Sequence, residues 1–209
     1  MQTMNNKVKT WVLLRGLTRE HRHWEGFPEK LQQCFPDSQI ITPDLPGNGD
    51  HSDSISPANI RDMMHFLRED IASSITSGPV HIIGLSMGAM VAIEWMKSYP
   101  QECAASVLIN TSLKGIIPYY QRLRLANYYR LLYSLFTKNK YRREKMILEM
   151  TSNLYPNTGK LLQRWVSYAE DNTVLPSNAF RQLLAASRYR APDLQPDTPI
   201  LLLSSKNDK

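Results

Sequence analysis

The sequence predicts an α/β protein with a mostly parallel central sheet flanked by helices, and with a helical insertion. Three observations carry that expectation. Short apolar runs rich in Val, Ile and Leu alternate with stretches of helical periodicity. A Gly-x-Ser-x-Gly turn stands between one such run and the helix pattern after it. Over residues 114–190 the alternation lapses, no convincing strand is found, and the charge turns strongly basic.

The runs at 11–14, 39–42, 80–83, 106–109 and 199–203 read as strands, each brief and bounded by Gly, Pro, Asn or Asp. They are continuously apolar rather than alternating, as in strands covered on both faces. Residues 24–35 fit a first helix. Residues 57–75 fit a second, with Ile60, Met63, Met64, Leu67 and Ile71 at helical spacing and Ser56 as its cap. Residues 86–98 fit a third, closed before Pro100. From Ile116 to Arg190 the chain reads as several helices punctuated by Pro156 and Pro176. Its aromatic residues, among them Tyr129, Tyr133 and Tyr141, form either a packed face or part of a ligand pocket.

A chain of 209 residues, 42% hydrophobic and 21% charged, has the composition of one ordinary globular domain. The first apolar run is too short for a leader or a membrane span, and no later stretch approaches about 18 apolar residues. A soluble, cytoplasmic protein without a stable membrane anchor is the expectation, with Cys34 and Cys103 as free thiols. The net charge of +6 is uneven: residues 114–190 hold 14 Lys and Arg against 4 Asp and Glu. The expected division is a core of 1–113 and 191–209 and a helical cap of 114–190. No nucleic-acid-binding module accompanies the basic charge.

The chemistry lies in two loops. Gly84-Leu85-Ser86-Met87-Gly88 would put Ser86 on a sharp turn between strand and helix, with its hydroxyl exposed as a nucleophile. The helix that follows offers free N–H groups to a developing oxyanion. Arg15-Gly16-Leu17 directly follows the first strand, and the N–H of Leu17 with that of Met87 would complete an oxyanion hole. A third loop, Asp44-Leu45-Pro46-Gly47-Asn48-Gly49, reads as a turn anchored by Asp44. No metal or organic cofactor is implied.

These loops in this order resemble the α/β-hydrolase family over the whole chain. The strands look like that family's third to seventh, and the basic helical insertion looks like its cap domain. Arg15-Gly16 stands where the family usually has His-Gly. The resemblance implies a catalytic acid after the last strand, where Asp208 matches, and a histidine later still. None of the five histidines (21, 23, 51, 65, 81) follows that strand. His65 and His81 read as structural, whereas His21, His23 and His51 fall in loops on the site side. A truncated gene, a fragment of a longer protein, and a non-catalytic relative that keeps the pocket each explain the missing base. The expected function is a serine hydrolase acting on a small ester or thioester, impaired for want of that histidine. The alternatives are a lyase or acyltransferase on the same fold, like the family's enzyme that forms a menaquinone precursor, and a degenerate hydrolase used for binding. The family's carrier-protein methyl esterase also suggests an acidic carrier protein as partner, at Arg122, Arg124, Arg130, Arg142, Arg143 and Lys145.

Overall fold

Parallel strand pairing organises the computed structural model of this chain, which describes residues 8–113, 129–130, 133–134, 137–152, 158–190 and 197–205. The strands are β1 (Thr10–Leu14), β2 (Gln39–Ile41), β3 (Val80–Leu85), β4 (Cys103–Ile109) and β5 (Ile200–Leu203). They form one sheet in the order β2-β1-β3-β4-β5, with every neighbouring pair parallel. The direction of winding reverses between β1 and β3. The carboxyl ends of those two strands therefore open the crevice where open parallel sheets place their ligands.

The helices are α1 (Phe27–Cys34), α2 (Ile60–Asp70) and α3 (Met87–Ser98), followed between β4 and β5 by α4 (Lys140–Thr151), α5 (Thr158–Asp171) and α6 (Pro176–Arg188). Val12, Leu14 and Ile82 on one face of the sheet pack with Met63, Met64 and Leu67 of α2 and with α3. Every residue from Met87 to Met96 is buried. This is why α3 reads as apolar all round: it lies between the sheet and α2. On the opposite face Leu13, Ile83 and Trp24 form a smaller cluster, backed by Leu31 of α1. Val107 and Ile109 of β4 on that face are only half-buried and β5 is exposed on both faces, so the cover expected on both sides is complete only over β1 and β3 on the α2/α3 face.

Two helix boundaries differ from the sequence expectation. The first stretch divides at Gly26, with a 3-10 turn at His21–Trp24 before it and α1 after it. The second helix starts at Ile60, capped by Asn59, whose side chain accepts from the Asp62 N–H at 2.8 Å. Ser56 is fully buried and serves elsewhere. Its hydroxyl donates to the Pro46 carbonyl at 2.5 Å, and its N–H donates to Asn178 Oδ1 at 3.0 Å. Among the described residues no helix is long and apolar enough to cross a membrane, and both cysteines are free, Cys34 exposed and Cys103 buried.

The sheet ends at β5, whose outer edge no described strand covers. Ile200, Leu201, Leu202 and Leu203 are 38%, 54%, 70% and 45% exposed. An apolar, unpaired strand edge is a template for pairing with another chain. The 209-residue protein is therefore expected to self-associate at micromolar concentrations, and Leu202→Lys to shift it towards monomer. Size-exclusion chromatography with light scattering measures both. A wild-type chain that stays monomeric at every concentration would refute this.

Candidate active site

The turn after β3 holds Ser86 in a conformation that side chains avoid. Its φ is 56° and its ψ −114°, a strained setting that costs about 1–3 kcal/mol and persists only where the surroundings enforce it. Here the enforcement is visible. The Ser86 N–H donates to the Ile109 carbonyl at 2.9 Å, which extends the β3–β4 ladder into the turn. The Ser86 carbonyl accepts from the Ala89 N–H and from Thr111 Oγ1, both at 3.1 Å.

The flanking glycines are required by close approach. A Cβ on Gly84 would lie 2.6 Å from Ala89 Cα, and one on Gly88 would lie 2.6 Å from the Arg15 carbonyl and overlap that of Leu14. These two positions let α3 fold back against β3 and β1. Gly16 brings the second loop in: a Cβ there would lie 3.1 Å from Ser86 Cβ and 3.5 Å from its Oγ. Leu17 follows, half-buried against the main core, and Met87, 1% exposed, opens α3. The structure thus brings together Arg15, Gly16, Leu17, Gly84, Ser86, Met87 and Gly88. Asp208 lies outside the described residues, although Ser205 shortly before it donates its N–H to Asn110 Oδ1 at 2.9 Å.

The two loops beside this turn are tied to α4, α5 and α6 by polar contacts. Arg19 and Glu144 form a buried ion pair at 2.5 Å, with Arg143 also on Glu144 at 3.1 Å. Arg22 pairs with Glu20 and, at 2.6 Å, with Asp171. Glu25 accepts from Arg164 at 2.9 Å and from Trp165 Nε1 at 3.0 Å. Gln182 of α6 is completely buried. Its Oε1 accepts from the Thr18 N–H at 2.9 Å, while its Nε2 donates to Asn48 Oδ1 at 2.9 Å and Ser56 Oγ at 3.0 Å. Sequence reasoning missed Gln182, Asn178 and Glu144. Their only trace there is a polar residue type on the inner face of an amphipathic helix.

Asp44 anchors its loop as expected. It accepts from the His21 N–H at 2.6 Å, from His21 Nδ1 at 2.8 Å and from the Asp50 N–H at 3.0 Å. Gly49, with φ 47°, leaves room for that carboxylate. The cluster of His21, Asp44 and Asp50 has the residue types of a metal site, and in this structure Asp44 uses both its oxygens on the His21 and Asp50 donors.

Each histidine has its own surroundings. The Asp44 hydrogen bond raises the His21 pKa against the effect of burial. His23 is buried beside Arg19, 2.8 Å from its Nη1, and desolvation with that positive charge keeps it neutral. His51 meets Asp70 at 3.1 Å, His65 lies against Tyr99, and His81 packs on Trp11. Among the described residues no side chain hydrogen-bonds Ser86 Oγ.

A parallel sheet, a strained serine turn at its switch point and a glycine loop pressed on that serine define a particular class of α/β protein. The chain belongs to the alpha/beta hydrolase family, whose model matches residues 11–209. It is 29% identical over 102 residues to the biotin biosynthesis bifunctional protein BioHC of Teredinibacter turnerae, covering 48% of this chain and 17% of that protein. It is also 29% identical over 106 residues to a candidate 2-succinyl-6-hydroxy-2,4-cyclohexadiene-1-carboxylate synthase of Haemophilus influenzae, covering 51% of this chain and 38% of that one. The chain thus matches well under two thirds of the length of either curated relative. In fold it is similar to a thermophilic esterase from Thermogutta terrifontis solved with malate bound. The TM-score is 0.71 at 19% identity, over 94% of this chain and 71% of that one.

The His21–Asp44 bond sets a pH dependence of stability. Because the folded pKa is raised above 6.5, the contribution is fully present below that value and is lost as pH rises through the folded pKa. His21→Gln is expected to lower stability more at about pH 5.5 than at about pH 8.5. Urea unfolding of both chains at the two pH values measures the gap, and a gap that widens with pH would contradict the assignment.

Proposed function

We propose that the chain is a serine hydrolase of small esters or thioesters, with Ser86 as nucleophile. The observation that carries the reading is the strained Ser86 backbone with Gly16 set against its Cβ and Oγ. Ser86 Oγ adds to the acyl carbonyl, and the N–H groups of Leu17 and Met87 receive the oxyanion. The leaving group departs with a proton, giving an acyl-serine that water then cleaves. Family membership and the esterase neighbour support the reading. Residues 114–190 would act as a cap over the site, and their contacts with the loops after β1 and β2 fit that role. Asp208 would orient a histidine base, and all five histidines of the chain are placed elsewhere.

A serine-directed fluorophosphonate is expected to label Ser86 and to fail with Ser86→Ala. Hydrolysis of p-nitrophenyl acetate is expected to be very slow, since loss of the base in comparable triads costs roughly 10⁶ in kcat. Turnover at ordinary enzyme rates, abolished by Ser86→Ala, would contradict the missing-base reading and promote a loop histidine. Absence of labelling would favour a binding protein. The alignment with the Haemophilus influenzae synthase candidate favours a second reading, a lyase or acyltransferase at the same site.

An acidic carrier protein as acyl donor or substrate remains the proposed partner. Arg142 and Lys145 line a groove of about 340 Å³ with Tyr129, Tyr133, Met146 and Glu149. Arg130 is exposed nearby in sequence, whereas Arg143 is committed to buried Glu144 and is set aside as a docking residue. Arg122 and Arg124 lie outside the described residues. Acyl carrier protein is expected to bind at low salt, more weakly at about 0.5 M salt, and more weakly still to Arg142→Glu/Lys145→Glu. Titration followed by fluorescence anisotropy reads this, and insensitivity to both changes would reduce the groove to a solvated surface.

A further inference from the structure

The polar network between the loop at 15–25 and helices α4 and α5 is out of balance. Four guanidiniums, those of Arg19, Arg22, Arg143 and Arg164, pair with four carboxylates, those of Glu20, Glu25, Glu144 and Asp171, and Arg15 stands beside them as a fifth cation. Each carboxylate is held by an arginine other than Arg15. Among the described residues Arg15 has no hydrogen-bond or ion-pair partner, and its guanidinium rests 4.9 Å over the Trp24 ring. Burial and the neighbouring Arg19 charge push its pKa down to about 10, against a smaller opposing pull from the Glu25 carboxylate.

The hydrogen-bond accounting points the same way. Arg15 Nε, Arg19 Nη2 and Trp24 Nε1 are buried without an acceptor among the described residues. All three come from one loop, and all three are donors. Buried donors left unmade cost about 1–3 kcal/mol each, and more when charged, so native proteins satisfy them with an acceptor, water or a ligand. A carboxylate suits this group best, because its two oxygens match a guanidinium fork and its charge offsets a cation opposed only by Glu25, whose hydrogen bonds go to Arg164 and Trp165. Arg15 remains partly accessible, and it immediately precedes Gly16, which touches Ser86.

We infer that Arg15 is a specificity-determining residue that binds the free carboxylate of an anionic acyl substrate, such as the half-ester of a short dicarboxylic acid. The inference deepens the hydrolase reading and rests on it for the identity of the reacting carbonyl. One end of the substrate sits on Arg15, and the ester at the other end lies at Ser86. Arg19 stays fixed by Glu144 and supports the same positive field.

Calorimetric titration of the Ser86→Ala chain reads the binding without requiring the serine to react, so this test and the labelling test fail independently. Monomethyl glutarate is expected to bind at least about tenfold more tightly than uncharged dimethyl glutarate, with the preference weakened at about 0.5 M salt. Arg15→Met in the same background should make the two ligands equivalent. Arg15→Gln replaces it if circular dichroism shows that Arg15→Met has not folded. Equal affinity of the two esters, a preference that survives loss of the Arg15 charge, or no binding of either at millimolar concentration would each overturn the inference.

Discussion

The close contact between the loop after β1 and the turn after β3 is the constraint on which the rest of the structure depends. Two parallel strands side by side deliver their carboxyl ends to the same place. For a serine to stand there in a left-handed conformation, the backbone at Gly84 and Gly88 must come closer than a Cβ allows, and at Gly16 closer than one usually sits. Gly16, Gly84 and Gly88 are that allowance. The apolar character of α3 follows from it, because a helix drawn so tightly against β1 and β3 has no face left for water.

Around this rigid centre α4 and α5 are held to the loop after β1 by charge and amide groups, whereas the sheet, α2 and α3 share the apolar core. Leu148, Leu161, Leu162 and Trp165 form a small core of their own within α4 and α5. Their connection to the sheet runs instead through Arg19–Glu144, Arg22–Asp171 and Glu25–Arg164. The first of these is buried. Removing one partner of such a pair leaves an isolated charge, which is far more damaging than replacing both. That geometry favours a unique placement of the helices over the loops.

The parallel sheet and the serine turn were legible in the sequence because both depend on local rules. Unbroken Val, Ile and Leu runs announce buried strands, and glycines two positions either side of Ser86 announce a turn that no other residue permits. The cap of α2 was misread. Ser56 and Asn59 are both good capping residues, and only the tertiary demand of Pro46 and Asn178 on Ser56 decides between them. Gln182 and Glu144 were not legible at all. Their partners lie 134 or 164 positions away for Gln182 and 125 for Glu144, and no periodicity reports contacts over such separations.

Gln182 carries a consequence for how the protein is made. A ribosome releases Thr18, Asn48 and Ser56 long before it releases the amide that joins them. The sheet order allows β1, β2 and β3 to assemble early, yet the loop beside Ser86 must wait for α6. Synthesis proceeds at about 5–20 residues per second, so the two loops spend roughly 6–33 seconds of nascent life without their shared anchor. During that interval the emerging chain has most of its sheet but an unset site, and the side of the core that Ala185 and Tyr189 will cover is still open.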